Sequence, residues 1–322
     1  MLIQSQFKAP WWCRNPHLQT LVAARLRAIK APSIKPERLL TPDNDFLDLH
    51  WFGCTDGPLV LIFHGLEGSS DSPYARGLMH ALDSQNLGGA VMHFRGCSGE
   101  PNRQPQSYHC GHTEDIAWLL EQLAQRYPEK KLLAVGYSIG AAALLNTLAQ
   151  ENLPEQLTLS LAVSPPFEPR SGSIRMSQGF SRIYQHTLVQ DCVLSARAKL
   201  AAGIKLPIDI DKLDTAKTFW QFDHHVTAPL HGFSSADDYY TRAAPRQRLS
   251  EIQRLCHIIH SHDDPFFEPS MIPNEDELGP KTTLELSRHG GHVGYVCGTP
   301  WRPNYWLEQR LTQLIRENLD RA

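Results

Sequence analysis

Leu132-Leu133-Ala134-Val135-Gly136-Tyr137-Ser138-Ile139-Gly140-Ala141-Ala142-Ala143-Leu144-Leu145 is the stretch on which the fold turns. Its first part is a short unbroken apolar run, as in a strand buried on both faces, and its last part is built of helix formers. Gly136 and Gly140 stand two residues to either side of Ser138. A strand that reverses into a helix this tightly needs glycine where neighbouring backbone comes close, and it holds the central serine at strained dihedrals. A bare Gly-x-Ser-x-Gly occurs by chance in many chains. In a strand-turn-helix context it marks Ser138 as the candidate nucleophile.

Outward from this point the chain alternates strand-like and helix-like segments from Arg38 onward, the pattern of a mostly parallel sheet with helices on its faces. Leu47, Leu49 and Trp51 alternate with Asp48 and His50, a period of two that predicts a strand near an edge with one wet face. The runs Leu59 to Phe63, Ala90 to Phe94, Lys131 to Tyr137, Leu157 to Val163 and Leu255 to Ser261 predict five central strands. Thr113, Glu114 and Asp115 place capping oxygens and negative charge before a helix over Ile116 to Tyr127, which Pro128 ends. Leu307, Leu311, Leu314, Ile315 and Leu319 recur at helical spacing and predict a C-terminal helix against the sheet. Pro165 to about Arg248 breaks the alternation with aromatics such as Phe180, Tyr184, Phe219, Trp220, Phe222, Phe233, Tyr239 and Tyr240. It reads as a helical cap insertion, at about 165–248, in a single α/β domain spanning 1–322.

An alkoxide is too basic to exist free at neutral pH, so Ser138 needs a general base. His292 lies in His289-Gly290-Gly291-His292-Val293-Gly294, just after the alternating Thr283 to Ser287, where glycines let a loop turn toward the serine; His289 is its rival. The chain order serine, acid, histidine puts the third member after Leu255 to Ser261, where Asp263 and Asp264 both stand. Asp264 is favoured because Pro265 turns the chain away directly behind it. The developing oxyanion needs N–H donors, expected from the backbone of Ile139 and, in the loop His64-Gly65-Leu66-Glu67-Gly68, of Leu66. His64 reads as a loop-shaping residue.

These motifs resemble the α/β-hydrolase superfamily and, within it, the YheT-type esterases, whose eukaryotic relatives are lipid-acting abhydrolase-domain proteins. The resemblance runs through Asn15-Pro16-His17-Leu18-Gln19-Thr20, His64 to Ser69 with Tyr74, Phe94-Arg95-Gly96-Cys97-Ser98-Gly99, Tyr108 with Gly111 and Asp115, the serine turn, Asp263-Asp264-Pro265 and Gly291-His292. It implies an α/β-hydrolase fold and hydrolysis of carboxylic esters, acyl or lipid-like, with Ser138, Asp264 and His292 in the roles already reached. Those relatives carry an N-terminal membrane anchor that Met1 to Pro10 does not supply, which weighs against membrane lipids as substrates.

Composition narrows the alternatives. The chain has 322 residues, 41% hydrophobic, with a formal charge of −3, so no field draws it as a whole to nucleic acid. No apolar run reaches the roughly 18 residues a spanning helix needs, and a soluble, cytoplasmic protein is expected. Seven scattered cysteines without a C-x-x-C pair argue against a disulfide framework or a zinc site. His109-Cys110-Gly111-His112 and His257, His260 and His262 lack a carboxylate or cysteine partner at ligand spacing, and no metal or cofactor is expected. His186 and Asp191 form a chance H-x-x-x-x-D pattern, and Trp11 and Trp12 read as a packing anchor. The partner expected is a small-molecule ester. An acyltransferase or thioesterase would use the same three residues, and a non-catalytic binding protein would have no need of them in this order.

Overall fold

Leu59–Phe63 shows why the apolar runs become central strands: Leu59, Leu61 and Phe63 belong to one buried cluster, while Val60 and Ile62 belong to another on the opposite face. A residue sequence with no polar face can be satisfied only between two helical layers. The computed structural model describes residues 1–27, 29–30 and 32–321. It contains a nine-stranded sheet built of β1 (Leu2–Gln4), β2 (Ile34–Leu40), β3 (Phe46–Gly53), β4 (Leu59–Phe63), β5 (Gly88–His93), β6 (Leu132–Tyr137), β7 (Leu157–Val163), β8 (Cys256–Ser261) and β9 (Thr282–Ser287). The order is β1-β9-β8-β7-β6-β4-β5-β3-β2, parallel except where β3 pairs with β5 and β2. A hairpin of β10 (Val296–Thr299) and β11 (Arg302–Tyr305) follows.

Helices α1 (Pro16–Arg25), α2 (Pro73–Asp83), α3 (Glu114–Arg126) and α4 (Ile139–Leu148) follow β1, β4, β5 and β6. Leu78 and Leu82 of α2 pack on one face of the sheet, and Ile116, Leu119, Leu120 and Leu123 of α3 on the other. Each such side chain buried contributes about 1.5–3 kcal/mol. The last helix covers Trp306–Asp320, and its Leu307, Leu311 and Ile315 are fully buried, with Leu314 and Leu319 packed beside them. Between β7 and β8 the chain forms α5 (Pro169–Met176), α6 (Ser181–Ala201), α7 (Ile210–Thr215), α8 (Phe219–Phe222), a π-helical turn Asp223–Thr227, α9 (Ala228–His231) and α10 (Ala236–Ala243); Trp306–Asp320 is therefore α11.

The expected strands are all present within one to two residues, and β3 is next to the edge as its alternation predicts. The short β1 and the edge strand β2 carry no periodicity long enough to read; β2 is mostly exposed and contains Pro36. At the start of α3 the expected caps are used differently. Thr113 makes no side-chain cap and instead accepts from Gln150 Nε2 at 2.8 Å, while Asp115 turns inward to a bidentate pair with Arg95 at 2.7 and 2.8 Å. A buried guanidinium demands a paired carboxylate more strongly than a helix end does. Trp12 anchors through Nε1 to Gly298 O at 3.0 Å, whereas Trp11 is 81% exposed and anchors nothing.

Parallel strands share a direction, so the loops after β4, β6, β8 and β9 leave from one edge of the sheet. Those loops carry Leu66, Ser138, Asp264 and His292. Among the described residues no helix is long and apolar enough to cross a membrane.

Candidate active site

Ser138 joins β6 to α4 at φ 52° and ψ −120°, a region costing a residue with a side chain about 1–3 kcal/mol. Two hydrogen bonds hold it there: its N–H donates to Val163 O at 2.9 Å, and its own carbonyl accepts from Ala142 N–H at 3.1 Å. A Cβ at Gly140 would lie 2.3 Å from His64 O, and one at Gly136 would lie 2.7 Å from Ala141 Cα. Neither position has room for a side chain, so the spacing of the two glycines is what lets the turn form at all.

His292 Nε2 lies 2.9 Å from Ser138 Oγ, and Nδ1 lies 2.8 Å from Asp264 Oδ2. Asp264 is 4% exposed and His292 9%. The ring of Phe266 stacks on His292 at a centroid distance of 4.0 Å and 13° between planes, which fixes the orientation of the imidazole. Asp263 serves a different histidine. Its Oδ2 lies 3.1 Å from His289 Nδ1, and its Oδ1 accepts from Gly291 N–H at 3.0 Å.

The loop bearing His292 is strained and tied down. Val293 and Tyr295 have φ of 53° and 50°, and positive φ is a genuine outlier for a β-branched residue. His292 N–H donates to Thr20 Oγ1 at 3.0 Å and Val293 N–H to Ser164 Oγ at 3.2 Å. Thr20 closes the Asn-Pro-His-Leu-Gln-Thr segment. Asn15 caps α1 through His17 and Leu18 N–H, Gln19 exchanges hydrogen bonds with the Val296 backbone, and Thr20 reaches the histidine loop. Sequence reading noted this segment and Tyr74 and Tyr108 without seeing that they position the site.

Gly65 N–H donates to Tyr74 Oη at 2.7 Å and Glu67 N–H to Tyr108 Oη at 2.6 Å. Among the described residues the N–H groups of Leu66 and Ile139 have no such partner, and both residues line the cavity beside Ser138. His64 is absorbed by the loop: Nδ1 is 2.7 Å from Gly65 O, Nε2 accepts from Phe94 N–H at 3.0 Å, and burial lowers its pKa to about 3.

The cavity holds about 160 Å³ and runs under the helices between β7 and β8, with Met176, Leu188, Phe219, Phe222, Val226 and Leu230 in its wall. Phe233, one of the aromatics in that segment, instead packs behind Tyr239 and against His109. Two carboxyls that sequence reading missed also line it. Glu67 accepts from Ser195 Oγ, and burial raises its pKa. Asp223, on the π-helical turn, accepts from Thr227 Oγ1 at 2.6 Å and Tyr240 Oη at 2.7 Å, while burial outweighs both and pushes its pKa up to about 6.

That shift has a sign. Between about pH 4 and pH 6 the folded chain keeps a proton on Asp223 that the unfolded chain has lost, so this group's contribution to stability falls as pH rises through that window. Asp223→Asn removes the titration. Its stability relative to the parent is expected to improve by about 2–3 kcal/mol between pH 4 and pH 7.5, since one pKa unit corresponds to ~1.4 kcal/mol. Urea unfolding at both pH values measures the difference, and an equal effect at both would contradict it.

Of the other histidines, His257 lies 2.8 Å from Glu285 Oε2, His260 is buried in the core, and His262 is exposed, so these three do not converge. His109 and His112 are joined by His231, more than a hundred residues away. His186 and Asp191 lie on α6, His186 facing solvent.

Residues 58–298 match a family model described as alpha/beta hydrolase fold. The chain is 40% identical over 311 residues to the Escherichia coli (strain K12) protein named "Putative esterase YheT", covering 95% of this chain and 92% of that one. It is 26% identical over 319 residues to the phospholipase ABHD3 of Bos taurus, covering 96% and 78%. It is 28% identical over 266 residues to the monoacylglycerol lipase of Saccharomyces cerevisiae, covering 80% and 59%. The solved esterase Pf2001 of Pyrococcus furiosus is alike in fold, with a TM-score of 0.56 at 15% identity over 90% of each chain. A family match over residues 58–298, with 40% identity along 95% of the chain, shows that the protein belongs to the α/β-hydrolase superfamily, in the YheT-type group whose relatives bear esterase and lipase names.

Proposed function

We propose that the protein is a serine hydrolase of carboxylic esters working through an acyl-Ser138 intermediate. The observation that carries this reading is the unbroken line from Ser138 Oγ to His292 Nε2 at 2.9 Å and from His292 Nδ1 to Asp264 Oδ2 at 2.8 Å. His292 takes the hydroxyl proton as Oγ attacks the ester carbonyl, and Asp264 holds the Nδ1–H tautomer and balances the imidazolium charge. The N–H groups of Ile139 and Leu66 receive the oxyanion. His292 then protonates the leaving alcohol. A water molecule, deprotonated by the same imidazole, releases the acid.

The segment 165–248 acts as a cap over this site, within one α/β domain. Its apolar side chains form the wall against which an acyl group is buried, at about 0.8 kcal/mol per methylene. A cavity of about 160 Å³ is close to the size that takes a benzene-sized group. Short and medium acyl chains therefore fit beneath the cap as it stands.

Labelling by a fluorophosphonate probe, lost in Ser138→Ala, tests the nucleophile. On p-nitrophenyl esters from acetate to palmitate, kcat/KM is expected to peak at roughly C4 to C8. Phe222→Ala should move that peak while sparing acetate. A parallel loss on all esters together with a lower Tm would contradict a wall role for Phe222.

A further inference from the structure

His109 and His112, on the loop before α3, and His231, at the end of α9, present ring nitrogens that all lie within 4.8 Å of one another. None of the three takes part in the Ser138, His292 and Asp264 arrangement. The ring centroids of His109 and His231 are 4.5 Å apart, and that of His112 is 5.7 and 6.3 Å from them. Three imidazoles brought together from two remote segments are the donor set that a borderline divalent ion takes up.

His112 is 7% exposed, and its Nε2 lies 2.9 Å from Asp115 Oδ2. His109 Nδ1 accepts only from Gly111 N–H, at 3.1 Å, a single neutral hydrogen bond that an ion taking this nitrogen would replace.

The charges around the cluster are mixed. Arg95 and Lys199 face His231, and Arg242 faces His109. Asp43, Glu114 and Asp115 line the same outer groove as the three histidines, with Glu114 Oε2 3.5 Å from His112 Nδ1. Asp43 and Asp115 are both paired with Arg95, and Glu114 Oε2 also accepts from Thr113 N–H at 3.0 Å.

We propose that His109, His112 and His231 bind a divalent ion of the zinc class, which ties α9 to the loop before α3 along the wall of the cavity. His109 and His231 line that cavity as well as the outer groove, so the ion would sit between the two. It would brace the helices over Ser138 without entering the chemistry there.

The test uses the full chain, stripped with a chelator and dialysed. Titration with Zn²⁺ followed by metal analysis is expected to give one ion per chain, and Co²⁺ the visible absorption of a four-coordinate site. With Zn²⁺ at about a hundred times Kd, Tm should rise by roughly 3–8 °C. His231→Ala should weaken binding at least about 100-fold, while His292→Ala and His186→Ala retain it. If His231→Ala does not fold, as judged by circular dichroism without the ion, His231→Gln and His112→Gln are read in its place. Loss of the ion in His292→Ala, equal binding by the parent and the His231 and His112 variants, or no stoichiometric ion in the parent would overturn the proposal.

Discussion

Replacing Ser138 with alanine is expected to lower kcat/KM for p-nitrophenyl butyrate by about 10⁵ to 10⁶-fold and leave Tm almost unchanged. The hydroxyl makes no packing contact that an alanine methyl would not keep, while in the proposed mechanism every step of acyl transfer passes through it. What survives is the binding cavity and the two free N–H groups of Leu66 and Ile139, enough for a small residual rate over water. His292→Ala should lose nearly as much, because without a base at 2.9 Å the hydroxyl stays protonated during attack. The double variant should be no worse than Ser138→Ala, as expected of groups acting as one unit. Ser138→Gly adds a second reading. Glycine accepts φ 52° without cost, so this variant should be as inactive as alanine yet more stable by about 1 kcal/mol. Turnover by Ser138→Ala above about a thousandth of the parent would identify another nucleophile and sink the proposed mechanism.

The parts of this fold legible in the sequence are those whose signal is local. Leu59 to Phe63 and Leu132 to Tyr137 are apolar throughout because both faces of their strands are covered, and Gly136 and Gly140 flank Ser138 because backbone approaches both. His292 and Asp264 could be placed because the chain order of a known fold limits where they can stand. What escaped was long-range. Thr20 Oγ1 donates locally to Pro16 O, and its meaning for the histidine loop lies in the bond it accepts from His292 N–H, 272 positions along the chain. Glu67 reads as part of a polar loop, and only its positive φ and its contact with Ser195 show it turned into the cavity. Asp223 sits in an aromatic helical stretch with nothing to mark it as a lining residue of the cavity. His109 and His112 lacked a third ligand at any regular spacing because His231 comes from the far side of β7 and α6. Short periodicities therefore suffice for elements and for the serine turn, while the shell around the site follows from contacts that no spacing encodes.

Asp264→Asn is expected to lower kcat by about 10³ to 10⁴-fold, and Asp263→Asn by no more than about 10 to 30-fold. The difference follows from what each carboxylate already holds. Asp264 Oδ1 accepts from Phe266 N–H at 2.9 Å while Oδ2 faces His292 Nδ1 at 2.8 Å. An asparagine in this place has one oxygen, and keeping the Phe266 hydrogen bond turns its NH₂ toward the imidazole. Nδ1 then becomes the acceptor and the proton moves to Nε2, where it points at Ser138 Oγ and blocks proton removal. The loss is one of tautomer, so it should appear in kcat with KM almost unchanged. Asp263 meets His289 and Gly291 N–H instead, and an asparagine there can still accept from Gly291, so the variant should disturb the loop without reversing the His292 tautomer. Steady-state kinetics of the two variants on one short ester decides the matter: if Asp263→Asn proves the more damaging, the acid is Asp263, and the contact between Asp264 and His292 is structural.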